Sequence, residues 1–339
     1  MLAKGNGWQR LRARCFDAIP TSAMVYHGTA VPLNQWRSVG AFRVRSCDKK
    51  AAVLETAGVE IGTALLSDVE YLLDHGAEHR SALRGLVVEA QWHSPAWTVV
   101  TAYYWAFFSA LAVTRLTGKT TLYLDKRSIS NLRTLAASAH QPPAGALTLS
   151  VEQYISGTDR EVTLRPTGAH LHDAAWSVFH DLVSEIFNSC NGGTNAAEYR
   201  FFWCLNEARV RLGADWPSRV RNIVNYTPGC AYKEVVRDTV IDAAPYVRRG
   251  QPFSLAKLIE AFENIVMPLK PSQPIAPVIP ELCRALMLLC FMIGLIVNEL
   301  HSELIERQPS DRRWLNLRRA FLRQHCPSAD GHSDWPLTS

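Results

Sequence analysis

The sequence predicts a mainly α-helical protein, a helical bundle around one buried central helix with a small β-hairpin inserted in it. Three observations point there. Residues 94–118 are aromatic and uncharged up to Arg115 and are bounded by helix signals. Most other segments carry apolar residues at helical spacing. One stretch, 147–165, switches to alternation around a turn.

Residues 1–50 mix turn formers (Gly5, Gly7, Pro20, Pro32) with aromatics (Trp8, Phe16, Tyr26, Trp36, Phe42), which predicts an irregular arm of turns and short strands. Nine Lys and Arg residues stand there against only Asp17 and Asp48. Over 64–90, Leu65, Leu66, Val69, Leu72, Leu73, Leu83, Leu86 and Val87 keep helical spacing. Gly76 is expected to split this stretch into two helices, and Ser67 with Glu70 has a capping-box pattern. The central helix follows. Ser94 suits the N-cap, Pro95 the first helical position, and Gly118 the left-handed stop. A helix apolar on every side must be wrapped by other helices or by lipid.

Beyond Gly118 the period changes. Residues 120–124 read as a short strand, and 128–139 as a helix with Leu132 and Leu135 inward. The runs 147–155 and 161–165 alternate on either side of Gly157-Thr158-Asp159, which predicts the hairpin. Helical spacing returns over 173–188, 196–212 and 217–226, the last ended by Thr227-Pro228-Gly229. Residues 234–266 predict one or two helices broken near Pro245 and Gly250. Five prolines over 268–280 exclude helix and central strand there. A long apolar helix over 281–307 and a basic amphipathic one over 312–324 complete the chain. The expected division is a basic arm with helices over 1–90, a core over 91–267 and C-terminal helices over 281–325, after the linker at 268–280.

Composition narrows the class. The 47% hydrophobic content suits a globular core, and the net charge of +5 is mild. The basic runs at 1–50 and 307–323 would suit phosphate backbones or acidic partners, or simply solvated surface. Eight scattered cysteines without a CxxC pair, and a polar, basic N-terminus without a signal core, point to reduced thiols in a cytoplasm. Residues 94–114 are long enough to span a bilayer but rich in Ala, Thr, Ser, Tyr and Trp. Residues 285–297 are too short, so buried core helices, and no membrane, are expected.

The GKT triplet at 118–120 follows a helix and has Val113 where a phosphate loop needs glycine, so it is set aside. His75 and His79 have metal-ligand spacing without a third ligand beside them. His170-Leu171-His172-Asp173 reads either as a ligand pair joined by His180 or as a helix start. No metal and no cofactor are expected. Loose Arg-to-His spacings occur at Arg133 and His140, Arg165 and His170, and Arg319 and His325. The most informative cluster is 219–226. Arg221 and Asn225 lie one turn apart on one helix face, with Arg219, Asn222 and Tyr226 beside them. An Arg fork matches phosphate, and an amide and a phenol can hold ribose. A polar network tying the short helix to its neighbours uses the same residues.

Residues 102–111, AYYWAFFSAL, closing on Gly118, resemble the first core helix of HEPN domains. Arg221-Asn222 followed by Tyr226 is similar to the HEPN motif of Arg, a polar residue and a later His, and residues 286–304 trailing into Arg307-Gln308-Pro309 and Trp314 look like the end of YaaC-like proteins. The resemblance covers roughly 90–315. It implies a HEPN-like bundle, a homodimer or a partner protein of a defence complex, and RNA as ligand, bound or cleaved without metal as part of a defence or toxin-like system. Carried over, Arg221, Asn222 and Tyr226 would be catalytic, and Arg219 and Asn225 would bind substrate. Tyr226 replaces the histidine, and a phenol with pKa about 10 is a poor base, so a histidine from elsewhere, positioning by Tyr226, or loss of catalysis follows. The alternative is a non-catalytic helical scaffold that kept the fold.

Overall fold

A computed structural model of the chain describes residues 5–23, 31–89, 94–156, 158–190, 195–227, 229–230, 254–270 and 278–307. Among these the protein is mostly helical, with ten α-helices and one small antiparallel sheet. In chain order they are α1 (Asn6–Ala18), α2 (Leu33–Val39), β1 (Arg43–Cys47), β2 (Ala52–Ala57), α3 (Gly58–Arg84), α4 (Pro95–Leu116), β3 (Lys119–Leu124), α5 (Lys126–Leu135), β4 (Gly145–Ser156), β5 (Asp159–Pro166), α6 (Leu171–Ser189), α7 (Ala196–Leu212), α8 (Trp216–Tyr226), α9 (Leu255–Val266) and α10 (Ile279–Arg307).

Helix α4 is the centre. Ser94 Oγ accepts from the Trp97 N–H at 3.4 Å, and Gly118 takes φ +70°. A Cβ at Gly118 would also stand 2.7 Å from the Ala18 Cβ, so conformation and space both demand glycine. Helices α3, α10, α6 and α8 wrap α4. Its single charge, Arg115, is answered from α3 and β3: the Nε donates to Asp68 of α3 at 2.7 Å and a terminal nitrogen to Thr120 Oγ1 of β3 at 2.9 Å. Trp105 packs edge-on against Phe291 of α10 at 4.9 Å. Burying each such side chain contributes roughly 1.5–3 kcal/mol. Helices α4 and α10 are both long and apolar enough to cross a membrane, and 78% and 83% of their most apolar stretches are buried inside the protein.

The hairpin β4–β5 forms, but not as a lone insertion. It is the middle of a five-stranded sheet, β1-β2-β5-β4-β3, with every neighbour antiparallel. In β2 buried and half-buried residues alternate, and Leu54 pairs with Val162 while Leu149 pairs with Leu164. Helix α6 packs on β3 and β4. Helix α5 touches both edge strands, β1 and β3, and just beyond it Ser138 Oγ donates to the Cys47 carbonyl at 2.5 Å.

Several expectations need correcting. The segment 1–50 is not an irregular arm: it supplies α1, α2 and β1. Trp8, Leu11, Cys15 and Ala18 of α1 are buried along one helical face. Gly76 does not divide α3, which runs unbroken for 27 residues, because Gly76 is buried beside Trp105 and Ser109 of α4. Ser67 is no cap: inside α3 its hydroxyl donates to the Thr63 carbonyl and accepts the Val31 N–H, while Glu70 meets His301 of α10 at 2.5 Å. Leu132 is buried as expected, but Leu135 is 62% exposed. The expected helices within 234–253 and over 312–324 lie outside the described residues.

Part of the basic N-terminal charge is met within the protein. Arg10 and Arg14 pair with Glu185, and Arg12 pairs with Glu303. A cleft of about 1100 Å³ between α1 and the sheet is lined by Arg10, Arg14 and Arg165 but also by Asp17, Glu152 and Glu161. Its mixed charge favours no single class of ligand. Arg307 lies 4.0 Å over the Phe16 ring, and the rest of the C-terminal basic run lies outside the described residues.

Candidate functional site

Helix α8 opens with Trp216 and Pro217, and Trp216, Val220 and Val224 form its buried face against α4, α6 and α10. Arg221 sits at the edge of that face. Its guanidinium lies 5.2 Å from the ring centre of Tyr103 and 5.9 Å from that of Tyr104, both on α4. Such cation–ring contacts hold the charge in place without neutralising it. Among the described residues no carboxylate pairs with Arg221, and its buried Nε has no hydrogen-bond partner. A buried polar atom left unmatched in this way is uncommon in folded proteins.

Tyr103 links Arg221 to a histidine. The Tyr103 hydroxyl lies 2.7 Å from His172 Nδ1 and 3.3 Å from Ser218 Oγ, and it accepts from Trp176 Nε1 at 3.4 Å. His172 stands in the first turn of α6, with its ring flat on Phe107 at 4.3 Å. Burial, then the Arg221 charge, lowers the pKa of His172 below its ordinary 6.5, so its imidazole is neutral at neutral pH. Burial raises the Tyr103 phenol, which stays protonated. The result is a fixed cation beside a neutral imidazole, held by a buried phenol. It suits an oxyanion next to a group that gives up a proton.

The residues singled out from sequence fall in different places. Arg221 is in the site, and Asn222 and Asn225 are exposed on the same helix. Asn225 is turned only about 40° from Arg221, whereas Tyr226, five residues on, is turned about 140° away and is 73% exposed. Arg219 is tied elsewhere: it donates to the Leu212 carbonyl and pairs with Asp215 at 3.3 Å. His180 is fully buried between Trp176 and Phe179 and does not reach Arg221. The histidine beside Arg221 is His172, which no local pattern connects to residue 221. Its only sequence trace is the helix start at 170–173.

His170 is the exposed N-cap residue of α6, and His75 and His79 pack on the rings of Phe108 and Tyr104. Among the described residues no three His, Cys, Asp or Glu side chains converge as a metal site would require. Arg319 and His325 lie outside the described residues. Comparison with known proteins finds no matching family model, no matching curated protein and no matching solved structure.

Proposed function

We propose that this chain is a HEPN-like, RNA-directed protein that binds RNA and cleaves it without metal at Arg221 and His172. The observation that carries this reading is the Arg221 guanidinium, which no carboxylate among the described residues pairs with, linked through Tyr103 to a neutral imidazole. Arg221 holds the phosphate and stabilises the charge that develops on it. When Nδ1–H of His172 donates to the Tyr103 oxygen and Tyr103 donates to Ser218, Nε2 keeps its lone pair. That nitrogen takes the proton of a 2′-hydroxyl as its oxygen bonds to phosphorus, and the bond from phosphorus to the 5′-oxygen breaks. The imidazolium then returns the proton to the 5′-oxygen, leaving a cyclic 2′,3′-phosphate and a 5′-hydroxyl. Asn222 and Asn225 contact ribose, and Tyr226 lies outside the reacting group.

Burial of most of α4 and α10 supports helices packed within the protein and not in a membrane, and the cytoplasm is the compartment proposed with it. The resemblance to HEPN domains supports a homodimer, or one subunit of a defence or toxin-like complex. The second reading is a scaffold that kept the fold without the chemistry. Incubating the protein with labelled RNA in EDTA separates the two. Cleavage is expected, reduced about a hundredfold or more in Arg221→Ala and in His172→Ala, and unchanged in Tyr226→Phe. Intact RNA, with no binding at low salt, leaves only the scaffold.

A further inference from the structure

Outside the Arg221 cluster, the most unusual surface is a seam of rings between α3 and α4. Tyr71, His75 and His79 occupy one face of α3 at four-residue spacing, about 12 Å long. Tyr104 and Phe108 face them from α4. The His75 ring stacks on Phe108 at 5.2 Å and 26°, and the His79 ring stacks on Tyr104 at 5.5 Å and 22°. Tyr71 stands edge-on to His75 at 4.3 Å and is 63% exposed. The other four rings are half-buried. At its far end the seam runs into Arg221, which lies over Tyr104.

We infer that this seam is a stacking track for the unpaired bases of a single-stranded RNA whose phosphate is held by Arg221. The inference rests on the reading of Arg221 as an RNA contact and adds the form of RNA that the protein takes. Two features support this occupant. The seam is a run of planar rings, stacked on one another yet only half-buried and ending in the exposed Tyr71, and nucleobases stack on such rings without needing a particular sequence. The charge at its end is a guanidinium that no described carboxylate answers, which complements a phosphate backbone. Burial lowers the pKa of His79, so its ring is neutral at neutral pH and stacks without needing a counter-ion. Glu78 lies against the seam, its carboxylate 3.2 Å from His75 Nδ1, and orients that ring.

The test is fluorescence anisotropy of the full chain at low salt with two labelled probes, a short oligouridylate and an RNA duplex of equal length. The single strand is expected to bind more tightly than the duplex. Tyr71→Ala, which removes an exposed side chain and leaves the core intact, is expected to weaken it about fivefold or more. Arg221→Ala weakens both probes. Wild-type affinity in Tyr71→Ala and in a Tyr71→Ala/His75→Ala double variant overturns the track but leaves Arg221 as an RNA contact. If the wild type binds neither probe, the RNA reading fails and the track with it. Sedimentation without RNA decides one more point: a change of oligomeric state in Tyr71→Ala would make the seam an interface between copies and overturn the proposal, whereas an unchanged mass supports it.

Discussion

Replacing His180 with leucine should change how the protein responds to acid. The imidazole is fully buried between Trp176 and Phe179, and neither ring nitrogen has a hydrogen-bond partner. Burial, and then the charge of Arg209, pushes its pKa from 6.5 down to about 3. Between those two values the unfolded chain binds a proton here that the folded chain refuses. Stability is therefore unaffected by this group above pH 6.5 and is lost as the pH falls through the window toward 3. At pH 5 the loss is 1.5 units at 1.36 kcal/mol each, about 2 kcal/mol. Urea melts of wild type and His180→Leu at pH 7.5 and pH 5 read this directly. Any packing difference between the side chains shifts both pH values alike, and His79 and His172, lowered in the same direction, act equally on both proteins. The gap between variant and wild type should widen by about 2 kcal/mol in favour of leucine on going to pH 5. A gap that does not move with pH would refute the reasoning and mean that the ring meets water or a partner.

Two further perturbations follow from the packing. Glu198, 1% exposed, accepts the Trp8 N–H at 2.6 Å and caps α1, so Glu198→Ala should lower stability by about 2 kcal/mol in chemical denaturation and first lose the helical signal of α1. Arg115→Met leaves the part-buried Asp68 with only the Leu33 N–H as partner among the described residues and should cost about 2 kcal/mol, read the same way, with partial recovery in Arg115→Met/Asp68→Asn because the amide carries no charge.

What the sequence made legible was whatever local chemistry decides. The ends of α4 are set by Ser94, Pro95 and Gly118, all within the segment, and they stand where the pattern put them. The turn between β4 and β5 is likewise local. The failures share a different cause. Helix α1 carries a regular apolar face at Trp8, Leu11, Cys15 and Ala18, but Gly5 gives it no capping side chain, and the carboxylate that does the capping is 190 residues away. Gly76 looks like a breaker until Trp105 of α4 packs beside it. The site divides in the same way. Arg221 could be found from its own helix, whereas His172 joins it only through Tyr103 of a third. The spacing of Arg221 and Tyr226 in the chain suggested a pair, and the pitch of α8 points them apart.

The long-range capping of α1 bears on the order in which the molecule is assembled. A ribosome delivers this helix well before most of the surfaces that receive it, on α6, α7 and α10. Until residue 198 has emerged, the Trp8 N–H has only water as acceptor, and its indole N–H meets Glu303 later still. Helix α1 is thus a late-closing piece of the fold, and a product ending before α6 would carry it as a loose, positively charged apolar segment.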